Sequence, residues 1–205
     1  MDLSTVAFSM VFQYSNPIMT TSESPETFVS VDVEAAGPNP SQYSLLTIGA
    51  TIVGRARSTF YIELRPVNQN YVPEALAASR LSMARLAEHG LDPALAMREF
   101  EAWLKNEVPA PESPVFVGFN AVFDWTFVND YFHRYLGRNP FGHSALDVKS
   151  FYMGAKGLPW GDTTLQEVVR QYLGDRQFTH HALRDAIDQA EIFERLLAEA
   201  RRVPG

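Results

Sequence analysis

The sequence predicts an α/β fold, a mixed β-sheet flanked by helices, and three observations carry the prediction. β-Rich runs come first, a long helical stretch follows, and short β-runs then alternate with helical segments toward the end of the chain. Hydrophobic residues make up 46% of the 205 and charged residues 20%, which is enough apolar material for one domain with its own core. No internal repeat or low-complexity tract divides the sequence.

Residues 1–27, rich in Ser, Thr and Pro and without a sustained period, read as a flexible N-terminal extension, leaving 28–205 as the domain. Phe28–Val33 is the first strand. Leu45–Val53 and Thr59–Leu64 are β-rich runs joined by Gly-Arg-Ala-Arg-Ser, which suggests a hairpin. From Pro73 to Asn106 Ala, Leu, Glu and Arg dominate, a helical stretch broken around Gly90–Pro93. Val115–Phe119 is a short buried strand, and Asn120 offers an N-cap for a helix to about Leu136. Ser144–Val148 reads as a fifth strand or a loop, with Asp147 capping the helix behind it. Thr164 with Glu167 three residues on forms a capping box for a helix ending at Leu173. The last helix runs from about His181 to Arg201, with Ala186, Ile187, Ala190, Ile192, Phe193 and Leu196 at helical spacing.

The net charge of −7 argues against a broad basic surface gripping duplex nucleic acid, but not against an enzyme that holds a few phosphates through metal ions. No cysteine is present, which excludes disulfides, thiolate nucleophiles and cysteine–zinc sites. No apolar run approaches the roughly 18 residues that span a bilayer. No Lys or Arg precedes the apolar Val6–Phe12 run, so a signal peptide is not expected. A cytoplasmic protein without a membrane partner is the expectation.

Three short segments stand out chemically. Asp32 and Glu34, two apart at a strand end, share one face while Val31 and Val33 turn to the other. Paired acids in an apolar strand repel and need a cation, and hard oxygen ligands suit Mg²⁺ or Mn²⁺. Asp124 lies one turn into a helix among Phe123, Trp125 and Phe127, an unusual setting for a carboxylate. His180, His181 and Asp185 gather at the start of the last helix, where Asp185 and Asp188 share a face. His180 and Asp185 would lie about 140° apart on an ideal helix, so His180 reaches a common site only from the preceding loop. His181, at i−4 from Asp185, has the simpler helical geometry, and the two histidines remain alternatives on these grounds.

An Asp-x-Glu strand, an Asn-Ala-x-Phe-Asp turn and a His-x-Ala-x-x-Asp-Ala helix, in that order, resemble the DEDDh (DnaQ-like) 3′→5′ exonucleases over Phe28 to about Leu197. The resemblance implies a ribonuclease H-like fold with a five-stranded mixed sheet. It implies Asp32, Glu34, Asp124 and Asp185 as catalytic metal ligands for two divalent ions, Mg²⁺ or Mn²⁺, and His180, by the family's spacing, as general base. The implied activity is two-metal hydrolysis at the 3′ end of single-stranded DNA or RNA, releasing nucleoside 5′-monophosphates.

Ala-Ala-Gly after Glu34 and the later Arg138–Phe141 look most like the ribonuclease T branch, whose members act as dimers, so a homodimer is implied. Ala35 stands where many family members carry a threonine that helps hold the terminal nucleotide, and Pro38 follows the glycine of the first motif. Ala35, Asn120 and Phe123 are the expected substrate-binding positions. Phe119 and Trp125 are further stacking candidates, with Phe119 better suited to the core, and Arg134 and Arg138 could approach the substrate backbone. Competing readings are a polymerase-associated proofreading exonuclease, an oligoribonuclease, and a catalytically silent nucleic-acid-binding module.

Overall fold

The structure, a computed structural model, describes residues 25–202. The expected N-terminal extension therefore falls almost wholly outside the described residues. Five strands run in chain order as β1 (Glu26–Ala35), β2 (Leu45–Ile52), β3 (Arg55–Glu63), β4 (Ser113–Gly118) and β5 (Ala145–Asp147). They form one sheet in the order β3-β2-β1-β4-β5. β1, β2 and β3 pair antiparallel, whereas β4 runs parallel to both β1 and β5. Among the described residues there are seven α-helices: α1 (Pro73–Ser79), α2 (Met83–His89), α3 (Pro93–Glu107), α4 (Val122–Leu136), α5 (Val148–Lys156), α6 (Leu165–Leu173) and α7 (Ala182–Ala200).

The alternation in β1 sorts its side chains between two cores. Val29, Val31 and Val33, paired with Ile52, Ala50 and Ile48 of β2, face α3 and α4, where Phe100, Phe127 and Phe132 complete the larger core. Phe28 points to the other face, where Val168, Ile192, Phe193 and Leu196 form the core under α6 and α7. Asp32 and Glu34 continue the row of Phe28 past the edge of that second core.

Several boundaries depart from the sequence pattern. Arg55–Ser58, expected as loop, belong to β3, and the hairpin turns over Val53 and Gly54. The long helical stretch breaks twice, because Arg80 adopts a left-handed conformation with φ 58° and ends α1 before Ser82 caps α2. Asn120 is not the N-cap of α4. Its φ of 54° makes it the pivot of the turn out of β4, and Ala121 occupies the cap position. Asn tolerates that left-handed geometry better than most residues. Ala145–Asp147 is a true fifth strand, paired through Phe116, Val117 and Gly118 of β4. Asp147 caps α5, its carboxylate accepting the Ser150 N–H at 2.7 Å, and Thr164 caps α6 as the capping box predicts.

Candidate active site

β1 pairs with β4 only as far as Ser30, opposite Val117, but stays paired with β2 as far as Ala35. Beyond Ser30 the β4 side of β1 is open, and a crevice where neighbouring strands part is a common place for a site in open α/β sheets. Asp32 and Glu34 stand at this opening.

The parting leaves the Val33 N–H without a strand partner, and buried backbone donors must be paired. Asp124 takes it: the turn at Asn120 sends α4 back across the gap, and Asp124 Oδ1 accepts the Val33 N–H at 2.9 Å. Asp124 lies in the first turn of α4 and is 4% exposed. Ala121 N–H, just before the helix, donates to Asp147 Oδ2 at 2.8 Å, so Asp147 ties β5, α5 and the α4 turn together.

α7 supplies the remaining groups, and Gly49 lets it come close enough. A Cβ on Gly49 would lie 2.1 Å from Leu183 N and 2.2 Å from Ala182 C, so only glycine allows the first turn of α7 to rest on β2. Gly49 pairs with Asp32 in register, which places that first turn beside the acids. Asp185 is buried there, and its Oδ1 accepts the Thr179 N–H at 2.9 Å and the Thr179 hydroxyl at 3.2 Å. One turn on, the buried Gln189 bridges two segments. Its Oε1 accepts the Phe119 N–H at 2.8 Å, and its Nε2 donates to Asp32 Oδ1 at 2.6 Å. Because a backbone N–H can only donate, the Phe119 bond fixes which end of the amide faces Asp32. Asp188, on the same face of α7, is instead bound to Arg176 at 2.7 Å.

Asp32, Glu34, Asp124, His180 and Asp185 all line one cleft of about 270 Å³, together with Asn120, Phe123 and Gln189. Donor atoms of Glu34, His180 and Asp185 lie within 4.8 Å of one another. None of the four carboxylates has a Lys or Arg partner among the described residues. Burial raises the Asp32 pKa well above the usual carboxylate value, and repulsion from Asp124, Glu34 and Asp185 adds to it against the Gln189 hydrogen bond. Burial, then Asp185, pushes Glu34 up to about 7. Burial likewise pushes Asp124 up to about 8, against the Val33 N–H and with Glu34 and Asp147 adding to the rise. Converging oxygen donors that resist ionisation and lack an internal counter-charge are the chemistry a hard divalent cation fits.

His180 reaches the cleft from the loop before α7, held at φ 53°. His181 is the N-cap of α7 and stacks on Tyr61 with ring centroids 4.8 Å apart, and it does not line the acid cleft. Phe123 is 40% exposed at the cleft mouth, whereas Phe119 is buried as expected. Ala35 does not line the acid cleft. It lines an adjoining slot of about 430 Å³ with Glu34, Pro38, Val72, Ala75 and Phe123. Trp125 is no stacking surface for the cleft, because it lies edge-on to Phe116 against the core. Arg134 and Arg138 also stay outside it, paired with Asp130 and Glu101. The sequence reading missed Gly49 and Gln189. Gly49 interrupts an apolar strand, a recognisable mark of close backbone approach, but Gln189 carries no such signal.

The exonuclease family model matches residues 29–193. The chain is 45% identical over 168 residues to the 3′-5′ DNA exonuclease Cap18 of Escherichia coli, covering 82% of this chain and 90% of that protein. It is 31% identical over 182 residues to ribonuclease T of Hahella chejuensis, covering 80% of each. In fold it is similar to the nuclease domain of 3′hExo, a DEDDh family member bound to rAMP, with a TM-score of 0.69 at 16% identity over 84% of this chain and 92% of that one. It is similar also to E. coli exonuclease I in complex with a dT13 oligonucleotide, with a TM-score of 0.66 at 17% identity over 86% of this chain and 42% of that one. Sequence kinship and fold thus agree with the carboxylates gathered at the parting of β1 and β4, and the chain belongs to the DEDDh family of 3′→5′ exonucleases.

Proposed function

We propose that this enzyme removes nucleotides from the 3′ end of single-stranded nucleic acid, DNA before RNA, releasing nucleoside 5′-monophosphates. The observation that carries the reading is the meeting of four carboxylates and His180 in one cleft beside an apolar slot. The 45% likeness to a DNA exonuclease, against 31% to a ribonuclease, supports DNA as the first substrate. The family implies divalent metal ions, and Asp32, Glu34, Asp124 and Asp185 would hold two of them, Mg²⁺ or Mn²⁺. Bound there, the ions would cancel the carboxylate charge and let a phosphodiester approach an acidic protein.

The protein's own groups divide the remaining work. Val33, Gln189 and Thr179 each fix one carboxylate through a hydrogen bond, so the acids are oriented before substrate arrives. His180, exposed at the cleft, accepts the proton of the attacking water, a role suited to an imidazole near neutral pH. The slot beside Glu34 takes the terminal base, with Ala35 leaving room for it and Phe123 forming one face. Away from Glu34 its walls are apolar, so it grips any base by stacking without reading its edge. Asn120, at the mouth of the cleft, contacts the strand on the 5′ side.

The test is incubation of 5′-labelled single-stranded DNA and RNA of matched sequence with Mg²⁺ or Mn²⁺, beside chelator and Asp185→Asn controls. A ladder shortening from the 3′ end, faster on DNA and absent from both controls, is the expected result. Cleavage that survives chelation or the Asp185→Asn change would refute the site assignment.

A further inference from the structure

In the proposed reaction the acid cleft and the slot hold the end of a strand, and only Asn120 meets the nucleotides behind it. Two surfaces adjoin the cleft beside α6. One is a pocket of about 620 Å³ that shares Leu165, Phe178 and His180 with it. Its two arginines are already ion-paired, Arg170 with Glu167 and Arg176 with Asp188 and Glu191. The other surface is the turn between α5 and α6, and that turn holds Trp160 out of the fold. Leu158 before it and Leu165 after it pack against the core under α6 and α7, whereas Trp160 does not and is 53% exposed. A short 3-10 helix, Trp160–Asp162, fixes the backbone between them. The Asp162 N–H donates to the Pro159 carbonyl at 3.0 Å. The fully buried Thr163 donates to the Trp160 carbonyl through its N–H at 3.3 Å and its hydroxyl at 2.8 Å. An indole carries a large apolar surface, so a pinned turn that withholds one from the core leaves it for a ligand.

Lys149 supplies a charge at the same place. Its Nζ lies 3.9 Å from the centroid of the Trp160 ring, a cation–π contact. Lys149 has no carboxylate partner among the described residues. Of the acids close by in sequence, Asp147 accepts the Ala121 and Ser150 N–H groups, and Asp162 is exposed to water. The pair also stands at the end of the fold where the cleft opens. β4 and β5 run parallel and end at Gly118 and Asp147, so the Asn120 turn and the start of α5 with Lys149 share one end of the sheet. Asn120 lines the cleft, and so does Leu165, which follows the Trp160 turn.

We propose that Trp160 and Lys149 form a second strand-binding site, on the 5′ side of the bond that is cut, for an unpaired base and the phosphodiester next to it. This rests on the exonuclease reading above. The base stacks on the indole face that Lys149 does not cover, as bases stack on aromatic platforms without regard to sequence. The ammonium meets the neighbouring phosphate. Strands long enough to run from the carboxylates past Asn120 to Trp160 are therefore held more tightly than shorter ones. The enzyme slows when its own digestion brings a strand below that length.

The experiment measures kcat/KM on 5′-labelled single-stranded DNAs from the dinucleotide upward, for the wild type, Trp160→Ala, Trp160→Phe and Lys149→Met. The wild-type value is expected to rise with length to a plateau. Trp160→Ala is expected to lose about 10-fold on long strands, through KM, and to cut the shortest ones as the wild type does. Trp160→Phe keeps an aromatic face and should retain most of the gain. Lys149→Met should lower the slope of log KM against log salt by about 0.7, the share of one phosphate contact on a single strand. Binding is read separately by tryptophan fluorescence on Asp185→Asn protein, where Trp103 and Trp125 pack against the larger core. A long oligonucleotide should quench that fluorescence, and far less so once Trp160→Phe is added. A wild type indifferent to length, a Trp160→Ala enzyme that matches it throughout, or equal losses at every length overturn the proposal and leave the exonuclease reading standing. If the wild type shortens no strand, the exonuclease reading falls and the second site with it.

Discussion

α4 and α7 reach β1 by the same device and put it to different uses. Each helix follows a residue held at positive φ, Asn120 at 54° and His180 at 53°, and neither has a side-chain N-cap. Each places an aspartate in its first turn, and each aspartate accepts an N–H from outside its own helix, Val33 for Asp124 and Thr179 for Asp185. The surroundings then diverge. Asn120 sits between the buried Phe119 and Ala121, and Asp147 pins the turn, whereas the chain before α7 is exposed from Gly174 to Gln177 and again from Thr179 to His181. Both pivots are exposed and line the cleft, but Asn120 stands on a turn pinned by Asp147, whereas His180 stands on an exposed loop. Strained backbone gathers at sites, and in the proposed mechanism the pivot on the exposed loop is the one that takes the proton.

The sharpest way to break this comparison is to remove both pivot side chains. His180→Ala is expected to lower kcat by about 10²–10⁴-fold, the range of a lost general base, and to flatten the pH–rate profile. Asn120→Gly keeps the backbone freedom and is expected to raise KM with kcat nearly unchanged. Equal losses in kcat would mean that the two starts are not functionally distinct.

Gln189 tests the next level, because it spans the two regions from Phe119 to Asp32. Gln189→Leu is expected to cost about 10–100-fold in kcat and in Mn²⁺ affinity measured by calorimetry, as for other residues that orient a metal ligand. Gln189→Glu should be worse, since it sets a fifth carboxylate against Asp32. Should both variants bind Mn²⁺ like the wild type, the bridge would be structural only.

The pH dependence of stability reads the buried acids themselves. Burial raises Glu34 from 4.5 to about 7 and Asp124 from 3.8 to about 8, so each favours the fold while protonated. That contribution is full below the unfolded values and is lost as pH rises through the folded ones. Chelator-treated protein should therefore lose thermal stability as pH rises through 7 and 8. Mg²⁺ or Mn²⁺ should remove most of the slope, and Asp124→Asn should remove the upper part of it without metal. A flat profile in chelator would mean that the acids are not so crowded.

The smallest expected effect is on the pinned turn alone. Asn120→Ala and Asn120→Gly lose the same amide, but only alanine strains the left-handed backbone. They should differ by about 1 kcal/mol in denaturant unfolding, glycine being the more stable.

The acids were legible because a carboxylate in an apolar strand or among phenylalanines is a local anomaly. Asp32, Glu34 and Asp124 each announce themselves within a few residues. His180 could be chosen over His181 only through family spacing, since the turn that brings it to the cleft depends on a positive φ that no periodicity encodes. Asn120 misled for the same reason: a good capping residue and a tolerant left-handed residue look alike in sequence. Gln189 was invisible because its two partners lie 70 and 157 residues away. The second break in the helical stretch, at Arg80, was hidden by an arginine that ordinarily favours helix.

α7 carries Asp185 and Gln189, yet it is the last element of the described fold, and the β1 acids precede it by some 150 residues. A chain synthesised only as far as α6 could assemble β1 to β5 and the core against α3 and α4. It would still lack one carboxylate and the bridge that orients another. Domains form as the chain emerges from the ribosome, so cutting ability arrives last, after most of the fold is in place. On the proposed mechanism, a nascent chain is therefore unable to cut nucleic acid until its last helix has docked.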